Sequence, residues 1–239
     1  MRRRPRRSQP ALKPEGLREA NELDAIVANT ELTLISVVQG VALYFLADNV
    51  RSVLAGPNWE LMPHVVSAFL VVIAVWSRSL IHAFTTIRWP LNLEHTRLYF
   101  LVAVVEAALF AQTADSLGWW RLSSVLGGLV WFMFFVERRL YVDRRADSSG
   151  AVGKQLLDLL EAEHLLNLRV LAPALAVAFG GVFAARLWWP AQTQSWVFTF
   201  DVAQALGLAV YVFHVQRLYR SVKDLIVEAR TEWQSPPAS

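Results

Sequence analysis

The stretch PHVVSAFLVVIAVWSRSLIHAFTTI, residues 63–87, carries one formal charge, Arg78. At about 1.5 Å rise per residue it is long enough, as a helix, to cross the roughly 30 Å hydrocarbon core of a bilayer. A surface helix of a soluble domain would show a polar face along such a length, and this stretch has none. Five more runs of the same kind occupy 30–49, 97–115, 119–139, 168–189 and 195–216. They predict an all-α, polytopic integral membrane protein with six transmembrane helices arranged as three hairpins. Chain-reversal chemistry stands between the runs, at Gly56-Pro57-Asn58, Arg88-Trp89-Pro90, Ser116-Leu117-Gly118 and Trp189-Pro190.

The composition agrees. Of 239 residues, 55% are hydrophobic and 18% charged, whereas soluble domains carry roughly 25% charged residues. That excludes a soluble globular domain and a disordered chain, and the absence of Cys excludes a disulfide scaffold and a thiolate metal site. The organisation expected is a basic tail and cytoplasmic helix start over 1–29, a membrane domain over 30–216 with a long connection at 140–167, and an amphipathic tail over 217–239. The basic start, Arg2-Arg3-Arg4-Pro5-Arg6-Arg7, has no apolar core directly behind it and does not read as a secretory signal.

Orientation follows from the positive-inside bias. With the N-terminus in the cytoplasm, 19 of the 23 basic residues fall inside, Arg51, Arg121 and Arg186 outside, and Arg78 within a span. Both termini are therefore expected in the cytoplasm. Trp59, Trp119, Trp120, Trp188, Trp189 and Trp196 all fall at outer ends, where an indole suits the headgroup boundary. The tripeptide Arg-Leu-Tyr recurs at 97–99, 139–141 and 217–219 and reads as an inner anchor. The excess of Arg over Lys and the compact loops point to a bacterial inner membrane protein.

An ionisable group at span depth needs a partner. Arg78, Glu106, Arg186 and Asp201 stand there, accompanied by Gln39, Gln204, His82 and His214. Counted from the reversal near residue 92, Arg78 and Glu106 are equally deep. Arg186 and Asp201 match in the same way about residue 193. Two ion pairs on adjacent helices are expected: Arg186–Asp201 as a structural pair, and Arg78–Glu106 within a polar layer that also holds Gln39 and His82. Gly40, Gly127-Gly128, Gly180-Gly181 and Gly207 favour close helix contacts, and Pro173 favours a kink.

Function is bounded mostly by exclusions. There is no phosphate-cradling loop, no arginine ladder of a voltage sensor, no TVGYG-type filter and no lysine within a span for a Schiff base. No nucleophile–base constellation supports an enzyme, and no catalytic residue or resident metal is expected. Glu161-x-x-His164 has di-metal spacing but occurs once, without partners. No cofactor is expected, although His82 and His214 could ligate a haem or pigment. The leucine-rich segment 154–171 reads as a downward extension of the fifth span. Leu218, Val222, Leu225 and Ala229 form a stripe that either packs on this layer or supports self-association or a membrane partner. The lipid bilayer is the expected partner, the cytoplasmic helices leave a homo-oligomer or a membrane partner open, and nucleic acid is not expected. Two functions remain open: a conduit (channel or secondary transporter) for a small ion, proton or solute lined by Gln39, Arg78, His82 and Glu106, or a non-transporting scaffold, sensor or accessory subunit.

Overall fold

Long apolar runs free of interior helix breakers give long helices. The computed structural model describes residues 14–56, 59–85, 93–147, 151–193 and 195–234. Among them every regular element is helical and no strand occurs. α1 is Pro14–Ala55; a 3-10 turn, Trp59–Leu61, leads into α2, Met62–Thr85. Then follow α3 (Leu93–Phe110), α4 (Ser116–Asp147), α5 (Ala151–Leu166), a π-helical turn (Asn167–Leu171), α6 (Ala172–Trp188), the single turn α7 (Pro190–Thr193) and α8 (Val197–Gln234). The basic start over 1–13 and the reversals at Pro57-Asn58 and Arg88-Trp89-Pro90 lie outside the described residues.

Five segments are long and apolar enough to cross a membrane: Ala25–Ala55, Trp59–Ala83, Ser116–Arg139, Ala151–Trp188 and Val197–Glu228. They match five of the predicted runs. The sixth, 97–115, is interrupted. α3 stops at Phe110, the chain turns over 111–114, and the 18 residues of α3 hold three charges, Glu94, Arg97 and Glu106, whereas each of the other five contains an 18-residue apolar stretch with no more than two. The reversal expected at Ser116-Leu117-Gly118 is instead the first turn of α4, capped by Asp115, whose Oδ1 accepts the Leu117 N–H at 3.1 Å.

Partner choice departs from the hairpin expectation. α2 packs on α8 and α1, α3 on α1 and α4, and α6 chiefly on α4. Neither α2 with α3 nor α6 with α8 forms a packed pair among the described residues, although each is joined by a short connection. One core joins α1, α3 and α4 through Leu46, Val102, Phe110, Trp119 and Leu126. A second sits toward the basic end, where Leu156, Leu157 and Leu160 of α5 meet Val215, Leu218, Val222 and Ile226 of α8. The stripe at Leu218 and Val222 is thus spent within the chain. At about 1.5 Å per residue, the 38-residue α8 is far longer than a bilayer core, and its residues from Val215 to Ile226 pack into this second core.

Of the glycines singled out, only Gly127 lies at a close contact. A Cβ there would come within 3.2 Å of the Ala176 Cα on α6, while Gly40, Gly128, Gly180, Gly181 and Gly207 face open space. Pro173 acts upstream of itself. It has no N–H for an i→i−4 bond, and the preceding turn is wound as π-helix. The Ala172 N–H reaches Asn167 O, skipping the Leu168 carbonyl, which accepts instead from Trp131 Nε1 at 3.1 Å. The proline perturbation is thereby absorbed without an orphaned acceptor at Leu168.

Candidate functional site

Helical spacing places polar residues at two levels on the same three helices. On α2 these are His64 and Ser67, then Arg78 and His82. On α4 they are Trp120 and Ser123, then Glu137. On α8 they are Asp201 and Gln204, then Tyr211 and His214.

The level at the Trp-rich end is tightly bonded. Trp120 Nε1 donates to Asp201 Oδ1 at 3.0 Å and Trp119 Nε1 to Gln204 Oε1 at 2.7 Å. Gln204 Nε2 in turn donates to Ser123 Oγ at 3.3 Å. His64 Nδ1 lies 3.2 Å from the Thr113 carbonyl, which only accepts, so Nδ1 carries a hydrogen. His64 Nε2 lies 2.9 Å from Asp201 Oδ1, in a bent approach. The Trp119 ring is stacked on the imidazole at 5.0 Å. All of this is buried: His64 and Trp119 are 0% exposed and Asp201 1%.

One turn further along each helix the lining becomes apolar. Val71 and Ala74 of α2, Leu126 and Val130 of α4, Phe179 of α6 and Leu208 of α8 surround a cavity of about 120 Å³. Arg78, Tyr99, Asn167 and Tyr211 line the same cavity.

Beyond it lies the second polar level, looser than the first. Glu163 Oε1 accepts from Asn167 Nδ2 at 2.7 Å, and its Oε2 lies 2.9 Å from His214 Nε2. Arg78 Nη1 is 3.7 Å from Glu163 Oε1, and its guanidinium stands 5.1 Å from the centre of the Phe134 ring. Glu137 accepts from Tyr99 at 3.1 Å, with His82 Nδ1 at 3.9 Å and His164 Nδ1 at 3.7 Å. His164 Nε2 is fixed by the Phe134 carbonyl at 2.7 Å. Between Arg78, His82, Glu137 and Glu163 remains a void of about 10 Å³, roughly the space one water requires.

The residues singled out in the sequence are redistributed. Gln39 and Glu106 do meet, Gln39 Nε2 donating to Glu106 Oε2 at 2.7 Å. They form a buried bridge between α1 and α3 and do not line the cavity. Arg78 pairs with Glu163 rather than Glu106, because α2 and α3 are not packed neighbours. The expected Arg186–Asp201 ion pair does not form: Arg186 donates to Ser116 on α4, and Asp201 serves His64 and Trp120. α6 packs on α4 and not on α8, so equal depth brings the two charges no closer. His82 and His214 each turn toward a carboxylate, Glu137 and Glu163. Trp119 and Trp120 are core hydrogen-bond donors, while Trp59, Trp188, Trp189 and Trp196 are exposed. Two of the three Arg-Leu-Tyr tyrosines, Tyr99 and Tyr141, are likewise buried.

His64, Glu137, Glu163 and His164 went unrecognised as members of the buried network. A signal was present. Leu156, Leu160, Glu163, Asn167 and, one residue over, Leu157 and His164 follow three–four spacing, so the polar residues interrupt an apolar face and share its burial. Among the described residues no group of three or more His, Cys, Asp and Glu is arranged to hold a metal ion. Comparison with protein-family models, with curated proteins and with solved structures finds no match to this chain.

Proposed function

We propose that the chain is a membrane conduit, a channel or secondary transporter, for a proton, small ion or small solute, held closed at an apolar constriction. One observation carries the reading: α2, α4 and α8 each supply polar residues at both ends of a single apolar cavity. From Gln204 to Tyr211 the rise is about 10 Å. Polar stations separated by a dry apolar stretch are how a pore closes by dewetting. His64 with Asp201 would serve one side, and Arg78, Glu163 and His214 the other. This moves the path from the expected Gln39–Glu106 line to the α2–α4–α8 axis, with Arg78 and His82 kept. In the same reading α3 is the sixth span and both termini are cytoplasmic. Nineteen of 23 basic residues on one side support that orientation, and the Arg-over-Lys usage favours a bacterial inner membrane.

The test is flux. Full-length protein in liposomes loaded with a pH-sensitive dye should dissipate an imposed proton gradient, or pass a small cation, faster than empty liposomes. Glu163→Gln should lower that flux at least tenfold while leaving the fold intact by circular dichroism. Parent protein indistinguishable from empty liposomes under both gradients would sink the proposal. Weight would then pass to a scaffold, sensor or accessory subunit. That second reading draws on the α5–α8 core built beyond the length a bilayer requires, at the basic end.

A further inference from the structure

Arg78 lines the apolar cavity and makes no hydrogen bond among the described residues. Its nearest carboxylate oxygen is 3.7 Å away. Tyr211, on α8, lines the same end and has no hydrogen-bond partner among the described residues either. A guanidinium carries five N–H donors in a planar fork matched to a carboxylate, and leaving such donors unmet in an apolar setting is costly. Glu163 neutralises the guanidinium from 3.7 Å but stands beyond hydrogen-bond length of it, so the donors of the fork are not spent there. Glu163, and Glu137 on the same small void, are the groups that oppose an incoming anion.

The cavity has a route to lipid. One wall is α6, through Leu175 and Phe179, and another is α8, through Leu208 and Tyr211, yet α6 and α8 are not packed against each other. Both helices are apolar outward as well, with Val177 of α6 and Leu206 and Val210 of α8 exposed. We propose that a single-chain amphiphilic carboxylate, of the fatty-acid class, enters between α6 and α8, sets its chain in the cavity and its carboxylate on Arg78, with Tyr211 as a second donor. Volume decides between occupants. An engineered cavity of about 150 Å³ admits benzene, so 120 Å³ takes a segment of one chain, not a two-chain phospholipid. The inference rests on the cavity and the unspent donors and is independent of whether the chain conducts.

The experiment uses full-length protein in detergent with hexadecanoate as the probe, read by native mass spectrometry and by the shift of thermal midpoint. One hexadecanoate per chain is expected, with methyl hexadecanoate and hexadecylammonium at least tenfold weaker, since a charge-assisted hydrogen bond is lost. Arg78→Gln should weaken hexadecanoate by a similar factor. Because that variant removes a buried charge, Leu208→Trp provides a second route: it fills the cavity, keeps Arg78, and should abolish binding. Equal binding of acid and methyl ester, retention by Leu208→Trp, or displacement by two-chain phosphatidylglycerol would each overturn the proposal.

Discussion

The two polar levels of the bundle use similar residues to opposite ends. At the Trp-rich end, His64 of α2, Trp119 and Trp120 of α4, and Asp201 and Gln204 of α8 meet their partners at 2.7–3.3 Å. At the basic end, Arg78 stands 3.7 Å from Glu163, and His82 and His164 stand 3.9 and 3.7 Å from Glu137, around a small void and beside a π-helical turn. Short bonds running between three helices fix helix register; longer contacts fix it less firmly. The first level therefore reads as the clamp holding α2, α4 and α8 together, and the second as the place where chemistry has room.

Three substitutions sharpen or break this contrast. Asp201→Ala should be the most damaging, because it strands His64 and the Trp120 N–H in the core. Leaving a buried polar group without its partner costs about 1–3 kcal/mol, here at two groups at once, and a large drop in thermal midpoint in detergent is expected. If the midpoint stays put, the clamp assignment is wrong. Trp119→Phe keeps most of the ring but removes the donor to Gln204 Oε1, for about 1–3 kcal/mol; chemical denaturation in mixed micelles measures it. His214→Gln should cost least, below about 1 kcal/mol, since that imidazole is 40% exposed and Glu163 keeps Asn167. A cost equal to that of Trp119→Phe would erase the distinction between the levels.

What the sequence disclosed was height, and what it withheld was direction. The apolar runs gave helices because a bilayer-length stretch has few other ways to satisfy its backbone. The polar layer expected at one depth holds both Gln39 and Glu106, and they do bond. Arg78 and Glu106 were also placed at one depth and do not pair. A residue count along a helix gives its rise, whereas the partner depends on which helices pack, and α2 turns to α8 and α1. The same gap hid Glu163 and His164. The segment 154–171 reads as an extension of the fifth span, but which helices it meets is not in its rise, and the spacing of Glu163 and His164 with Leu156, Leu160 and Asn167 sets them on its buried face.

The π-helical turn at Asn167–Leu171 also sets a phase. One residue beyond α-helical winding advances everything that follows by about 100° around the axis. With it, α5 turns Glu163 and His164 into the bundle while α6, on the same continuous rod, turns Ala176 onto Gly127 of α4. Remove that residue, for example by deleting Val170, and both faces cannot be served at once. Either α5 rolls Glu163 away from Arg78, or α6 lifts off α4. The turn works as a fixed angular offset between two interfaces, and the proline behind it makes the offset difficult to anneal away.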